Sequence, residues 1–210
     1  MRKRNGPRSG SQELPIAGER RPERADARRN RLKVLAAAER LFAEHGVRNV
    51  SLDAIAAAAG VGKGTVFRRF GDRAGLAVAL LDERERELQD RILNGPPPLG
   101  PGAPAAARLC AFLDAYVALL ETHVELVLDS ENAALGARYR VGAYRFWHRH
   151  VAVLLEEARP ELDTDYTAHA LLAPLAADLH QALRAESYDI DRITSGLRHL
   201  ATALTGRSGG

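Results

Sequence analysis

The chain has 210 residues, of which 46% are hydrophobic and 27% charged, which is typical of a folded domain and argues against wholesale disorder. It contains 37 alanines and 29 leucines but only 24 valines, isoleucines and threonines, so helix formers far outnumber the residues that favour strands. This composition predicts an all-α fold. The single cysteine, Cys110, excludes an intramolecular disulfide.

No segment is typical of a membrane span or an export signal. The longest uncharged stretch, 92–107, contains five prolines, and no apolar run follows the basic residues at positions 2–4. We therefore expect a cytoplasmic protein, in keeping with the single cysteine.

The charge is divided unevenly along the chain. Residues 1–76 hold 17 basic and 8 acidic side chains, whereas residues 77–210 hold 13 and 19. A basic front joined to an acidic back indicates that the N-terminal part meets a polyanion, although basic residues on a solvated surface would give the same count.

The first predicted elements are a tail and a helix. Residues 1–27 are basic, contain three prolines and lack apolar periodicity, so they predict a disordered tail. From about Arg28, apolar residues recur at helical spacing until Gly46, which predicts the first helix.

Two short helices joined by a glycine turn follow, in the form of a helix-turn-helix. Ser51 is a predicted N-cap, small alanines allow close crossing, and Gly60 permits the turn. Val61 is expected to fill the small core between the helices. The second helix, about 63–70, is expected to present basic residues to phosphates and base edges.

The run from Leu35 to Leu76 contains LFAEHG, SLDAIAAAAGVGKGTVFRRF and GDRAGL. It resembles the N-terminal motif of the tetracycline-repressor (TetR) family of bacterial transcription regulators. The resemblance implies that Ser51 touches a phosphate and that the recognition helix meets the major groove of double-stranded DNA through Lys63, Gly64, Thr65, Val66 and Arg68.

Three positions depart from the usual pattern of that family. Phe67 stands where tyrosine is usual, which removes the hydroxyl that commonly reaches a phosphate. Arg69 replaces a frequent histidine and adds a charge, and Arg73 replaces a lysine whose phosphate contact it can keep. All three remain candidate DNA-binding residues.

The rest of the chain predicts a larger helical unit. A fourth helix, 72–93, is expected to link onward, and five of the ten prolines lie in the connection 96–104. Five further helices are predicted, giving about nine in all: 104–122, 124–134, 138–158, 164–185 and 189–205. The predicted divisions are the tail 1–27, a helix-turn-helix domain 28–76 and a ligand-binding and dimerisation domain 77–206.

Aromatic residues concentrate on two helices that the TetR fold places around a central pocket. Core packing would explain them, and an apolar effector pocket with a few polar groups is the functional alternative. The candidate ligand-binding residues are Phe112, Tyr116, His123, Tyr144, Trp147, His148 and Leu172.

Leucines on the last two predicted helices indicate a dimer interface. One short recognition helix makes few contacts, and two-fold pairing doubles them on a pseudo-palindromic operator. Pro174 is expected to bend the first of these helices. The alternative is that the leucines close the core of a single chain; they are Leu171, Leu175, Leu179, Leu183, Leu197 and Leu200.

The sequence predicts no catalytic site, metal site or cofactor. His148 and His150 are two residues apart and point away from each other on a helix, and no other histidine has a ligand partner at suitable spacing. We expect a homodimeric repressor released from DNA by a small-molecule effector. A regulator switched by a protein partner is the alternative, and an enzyme or a pure interaction module is a third class.

Overall fold

The computed structural model describes residues 20–134, 136–140 and 142–206. This part of the chain contains ten α-helices and no strand, which confirms the predicted all-α class and adds one helix to the predicted number. Two short 3-10 helices, Val47–Asn49 and Ala173–Leu175, lie between them. The α-helices are α1 (Arg20–His45), α2 (Leu52–Ala59), α3 (Lys63–Phe70), α4 (Arg73–Asn94), α5 (Ala105–Glu131), α6 (Ala137–Arg140), α7 (Gly142–Ala158), α8 (Thr164–Leu172), α9 (Ala177–Ala185) and α10 (Ile190–Thr205).

Local signals fix the turn between α2 and α3. The Ser51 hydroxyl accepts a hydrogen bond from the Ala54 amide at 3.2 Å and so caps α2. Gly60 ends that helix with φ 65° and ψ 35°, a left-handed conformation that glycine adopts without strain. The buried side chains of Ile55 and Val66 then fill the space between the two helices. The predicted helix-turn-helix is therefore formed.

Helix α1 begins at Arg20, eight residues before the predicted start at about Arg28. The expectation of a disordered tail was therefore wrong for residues 20–27, while residues 1–19 lie outside the described part. Pro22 had argued against a helix, but it falls in the first turn, where the missing N–H costs no intrahelical hydrogen bond.

Helix α4 joins the helix-turn-helix to the rest of the fold. It packs against α1 on one side and α5 on the other, and it runs across the predicted domain boundary at 76/77. Arg31 of α1 pairs with Glu83 of α4, and Arg84 of α4 donates to Glu39 of α1 at 2.7 Å. The proposed division into two domains stays a prediction.

Helix α5 is the central support of the larger unit, since α4, α7, α9 and α10 all pack against it. We predicted two helices here, 104–122 and 124–134, and the non-helical backbone of His123 between them confirms that division, although the second segment ends at Glu131. The chain bends at His123 (φ −132°, ψ 24°) and continues as a helix to Glu131. No glycine or proline lies near the bend. The predicted helix 138–158 corresponds to α6 and α7.

The predicted helix 164–185 is divided into α8 and α9. Pro174 lies between them in a 3-10 helix, and Ala176 is extended (φ −67°, ψ 136°). Proline lacks a backbone N–H and clashes with the preceding turn, so α8 cannot continue through it. The expected bend is therefore a complete break.

A buried ion pair satisfies the backbone groups that this break leaves without helical partners. Arg138 donates to the carbonyl oxygens of Leu172, at 2.9 Å, and Leu175, at 3.2 Å, and it pairs with Glu131. The second oxygen of Glu131 accepts from the Ala177 amide at 2.9 Å. Three backbone groups are thus hydrogen-bonded by two side chains from α5 and α6.

No α-helix in the described ranges combines the length and the hydropathy needed to cross a membrane.

Replacing the guanidinium at this break is expected to destabilise the fold strongly. Arg138→Ala leaves the Glu131 carboxylate buried and two carbonyl oxygens without donors, so the free energy of unfolding falls by about 3–5 kcal/mol. Urea denaturation followed by circular dichroism measures this loss. Arg145→Ala, at an exposed position of α7, is the matched control and changes stability by less than about 0.5 kcal/mol. Equal stability of the two variants would contradict the proposed role of the pair.

Candidate nucleic-acid interface and ligand cleft

Helix α3 presents a mixed basic and apolar face to solvent. Lys63, Gly64, Thr65 and Arg68 are all exposed, as the sequence predicted. Lys63 lies 2.8 Å from a carboxylate oxygen of Asp53, but both side chains are largely exposed. An exposed ion pair contributes little to stability, so the Lys63 ammonium can exchange the Asp53 carboxylate for a phosphate.

Val66 is the exception on this helix. Its side chain is 0% exposed and packs in the core between α2 and α3, so it cannot lie on the groove side as predicted. Consecutive residues of a helix point about 100° apart, and a helix that packs on one side must bury some of them. We therefore remove Val66 from the candidate contact residues.

Phe67 is 62% exposed on the same helix. An exposed phenylalanine beside three polar or basic residues has no packing reason within the chain. An apolar ring at this place can contact the methyl group of thymine in a major groove.

Two further arginines are held by backbone carbonyl oxygens. Arg69 donates to the carbonyl of Ala27 in α1 at 3.1 Å, and Arg73 donates to that of Arg48 in the first 3-10 helix. These bonds tie the end of α3 and the start of α4 to the neighbouring elements. Each guanidinium has five donors, so donors remain for a phosphate.

The junction between α3 and α4 is tightly packed, a feature that the sequence analysis missed. Asp72 caps α4 by accepting from the Gly75 amide at 2.8 Å. A Cβ atom at Gly75 would lie only 2.1 Å from the carbonyl oxygen of Phe70. Glycine at position 75 therefore sets the distance between the two helices.

A cleft of about 760 Å³ opens between α4 and the far end of α5, closed at its ends by the first 3-10 helix and by α6 and α7. Small apolar residues such as Ala77 and Ala143 form much of its wall, with Leu81 and Leu126 beneath. Its charged lining residues are Arg48, Arg73, Arg86, Asp82, Glu85 and Asp129. A cleft of this volume and mixed lining can hold a drug-sized molecule.

Glu85 is the unusual group of the cleft. Burial raises the pKa of its carboxyl to about 7, and the neighbouring Asp82 carboxylate adds to the rise, while Arg86 opposes it. The group therefore changes between a neutral donor and an anionic acceptor near neutral pH.

The sequence comparisons agree with the geometry of α2 and α3. Residues 34–80 match the family model described as bacterial regulatory proteins, tetR family. This segment of the chain is similar to the N-terminal domain of TetR-family regulators. A helix-turn-helix transcriptional regulator of Staphylococcus aureus (strain USA300) is 43% identical over 53 residues, a match that covers 25% of this chain and 29% of that protein. The same match is found in strain NCTC 8325.

Solved structures extend the likeness of the fold to the larger unit. A TetR-like regulator from Rhodococcus sp. RHA1 has a TM-score of 0.59 at 20% identity, over 85% of this chain and 97% of that chain. The fatty acid degradation regulator FadR from Bacillus halodurans gives 0.62 at 20% identity, over 85% and 96%. FadR from Bacillus subtilis, solved with stearoyl-CoA, gives 0.60 at 17% identity, over 83% and 97%.

The larger helical unit does not place the predicted ligand-binding residues around the cleft. Tyr116, Tyr144 and Trp147 line a void of only about 20 Å³, room for little more than one water. Phe112 and Leu172 are buried in the core. The aromatic residues thus fill the interior, which was the alternative interpretation.

The two predicted ligand-binding histidines lie elsewhere. His123 is buried with its Nε2 3.2 Å from Glu39, and burial lowers its pKa. His148 faces α8, away from the residues that line the cleft. The sequence did not predict the cleft, because alanines and charged residues line it and these residue types form no distinctive sequence pattern.

The predicted dimer leucines separate into two groups. Leu171, Leu175 and Leu197 are buried within the chain, so they cannot form an interface as predicted. They close the core of the chain because α8, the 3-10 helix and α10 turn these positions inward. Leu179 and Leu200 are 42% and 49% exposed, and Leu183 is half-buried.

Proposed function

We propose that the chain is a homodimeric repressor that binds a pseudo-palindromic operator through α3 and is released from it by a small molecule in the cleft. The observation that carries the proposal is the position of α4. This helix begins three residues after α3 ends, and it also forms one wall of the cleft. A ligand that fits the cleft better in one orientation of α4 thereby favours one spacing of the recognition helices.

The exposed residues of α3 suggest a division of labour at the DNA. Lys63, at the N-terminus of α3, is placed for phosphate, together with Ser51 at the N-terminus of α2 and the amides near Gly64. Arg68 and Phe67, one turn onward, are placed for base edges, with Thr65 beside them. Arg69 and Arg73 flank this face as further phosphate contacts.

The two kinds of contact are expected to respond differently to substitution. Lys63→Ala weakens binding to all DNA sequences alike and lowers the salt dependence by about one ion, because one phosphate contact is lost. Arg68→Ala costs about 1–3 kcal/mol on the operator and relaxes specificity at one base pair. Fluorescence anisotropy at several salt concentrations, on the operator and on single-base variants, measures both. Arg149→Ala, at an exposed position of α7, is the control, and identical profiles for Lys63→Ala and Arg68→Ala would contradict the division.

Exposed apolar positions on α9 and α10 support the dimer. Both helices pack on α5. Leu179 and Ala182 are exposed along α9, and Gly196, Leu200 and Ala203 are exposed along α10 at helical spacing. Two adjacent helices of this kind, paired with their symmetry mates, make a four-helix interface.

Charges at two exposed leucines are expected to separate the subunits. Leu179→Glu combined with Leu200→Glu gives a folded monomer with weakened operator binding, because both side chains already lie at the surface of a single chain. Light scattering reports the mass, which is 22.8 kDa for one chain and twice that for the dimer. The control is Leu93→Glu combined with Val153→Glu, two exposed apolar residues on other helices. A wild-type mass near 22.8 kDa at micromolar concentration would rule out the dimer.

The cleft is proposed to take a molecule with an apolar body and a group that hydrogen-bonds to Glu85. The volume of about 760 Å³ suits such a ligand, and the buried carboxyl supplies a specific polar contact. A related fold in Bacillus subtilis FadR was solved with stearoyl-CoA, which supports a ligand-holding role for this architecture.

Filling the cleft is expected to abolish the response to the effector. A gel shift with the DNA upstream of the chain's own gene is run with the small-molecule fraction of the host extract. The wild type is released, whereas Ala77→Trp and Ala143→Phe, on opposite walls, are not. Val153→Trp, outside the cleft, is the control. Release only by the protein fraction would instead support a regulator switched by a protein partner.

A further inference from the structure

Three side chains with metal-binding atoms meet on the face between α7 and α8. One nitrogen each of His148 and His169 and one carboxylate oxygen of Asp165 all lie within 4.8 Å of one another. The two imidazole rings are 4.0 Å apart between centroids. None of the three residues lines the ligand cleft.

The positions of the three residues suit chelation. Asp165 and His169 are four apart on α8 and so project from the same side of that helix. His148 comes from α7, and its Nε2 lies 3.7 Å from the Asp165 carboxylate. The same nitrogen lies 3.0 Å from the Asp165 carbonyl oxygen, a hydrogen bond that a metal ion bound at Nε2 replaces. Ligand atoms around a tetrahedral zinc ion are about 3.3 Å apart, because each lies about 2.0 Å from the metal. The exposed Asp165 side chain can close the difference by rotation.

Tyr144 forms a hydrogen bond with one of the three residues, His169. Its hydroxyl lies 2.7 Å from Nδ1 of His169, and the two rings are stacked. In the tautomer with the proton on Nδ1, that N–H donates a hydrogen bond to the tyrosine oxygen, and Nε2 is left with a free lone pair. Metal-binding histidines usually have such a partner on the second nitrogen, which holds the ring in place.

Two buried histidines with a carboxylate neighbour, His180 and His123, lack this arrangement. His180 lies 2.7 Å from Glu121, but the same carboxylate oxygen also accepts from Arg184 at 3.1 Å. His123 has Glu39 alone at 3.2 Å, and that glutamate is already bonded to Arg84. In both cases a guanidinium neutralises the carboxylate that a metal would need.

We propose that His148, Asp165 and His169 form a binding site for a divalent transition metal of the zinc class. Two imidazoles and one carboxylate suit zinc, nickel, cobalt or copper, whereas magnesium and calcium prefer oxygen ligands alone. Three protein ligands leave a fourth coordination position for water or another small ligand. A bound ion joins α7 to α8 just ahead of the break at Pro174.

The experiment is a zinc titration of the full chain, with any affinity tag removed, in competition with a chromophoric chelator. The wild type binds one zinc ion per chain. His169→Ala and Asp165→Asn, both at exposed positions, lower the affinity at least about tenfold, and Tyr144→Phe lowers it about tenfold by removing the support of His169. His148 is mostly buried, so these exposed positions decide the test even if His148→Ala fails to fold.

The matched control is His45→Ala. His45 is an exposed histidine with its Nε2 3.7 Å from a Glu44 carboxylate oxygen, but it has no second imidazole within the same cluster. Zinc also raises the thermal midpoint of the wild type and not of Asp165→Asn, because only the folded wild type holds the ion. Equal zinc affinity of wild type and His169→Ala, or a preference for magnesium over zinc, would overturn the proposal.

Discussion

The fold of the larger unit depends on how the chain satisfies its backbone at Pro174. Pro174 interrupts the helix between α8 and α9, and this leaves backbone carbonyl and amide groups without helical partners in the interior of the fold. A buried polar group without a hydrogen bond destabilises the fold by about several kcal/mol. Arg138 and Glu131 supply the missing donors and acceptor at once. Because the break is stabilised in this way, α8 lies against α7 while α9 lies against α5. The proposed metal site and the exposed face of α9 both follow from that change of partner.

Residues 51–76 were well predicted because the signals there are local. Ser51 bonds to an amide three residues away, and Gly60 adopts its backbone conformation without help from distant residues. A sequence pattern can encode such features completely. Val66 was misplaced because exposure on one side of a short helix is decided by which helix packs against it, and α2 covers that side.

The larger unit was harder to predict, since its features arise from residues far apart in sequence. Helicity itself was clear from composition, and the kink at His123 was predicted as a helix boundary, but the burial of Leu171 is set by packing against other helices. The aromatic residues did not predict the position of the cleft, because their large side chains pack in the core and do not line it. The neighbours His148 and His169 are 21 positions apart, so no spacing rule along one helix could join them. The four-residue spacing of Asp165 and His169 on α8 was a usable signal, and the expectation that no other histidine has a partner at suitable spacing was wrong there.

The short distance from Gly75 to the Phe70 carbonyl has a mechanical consequence for the proposed regulator. With no room for even a methyl group, the end of α3 and the start of α4 are in direct contact at Gly75. Because of this contact, a small tilt of α4 also changes the orientation of the recognition helix α3. The ion pairs from α4 to α1 oppose that tilt. In the proposed regulator, α4 therefore tilts only when the binding free energy of a ligand in the cleft exceeds the contribution of these ion pairs.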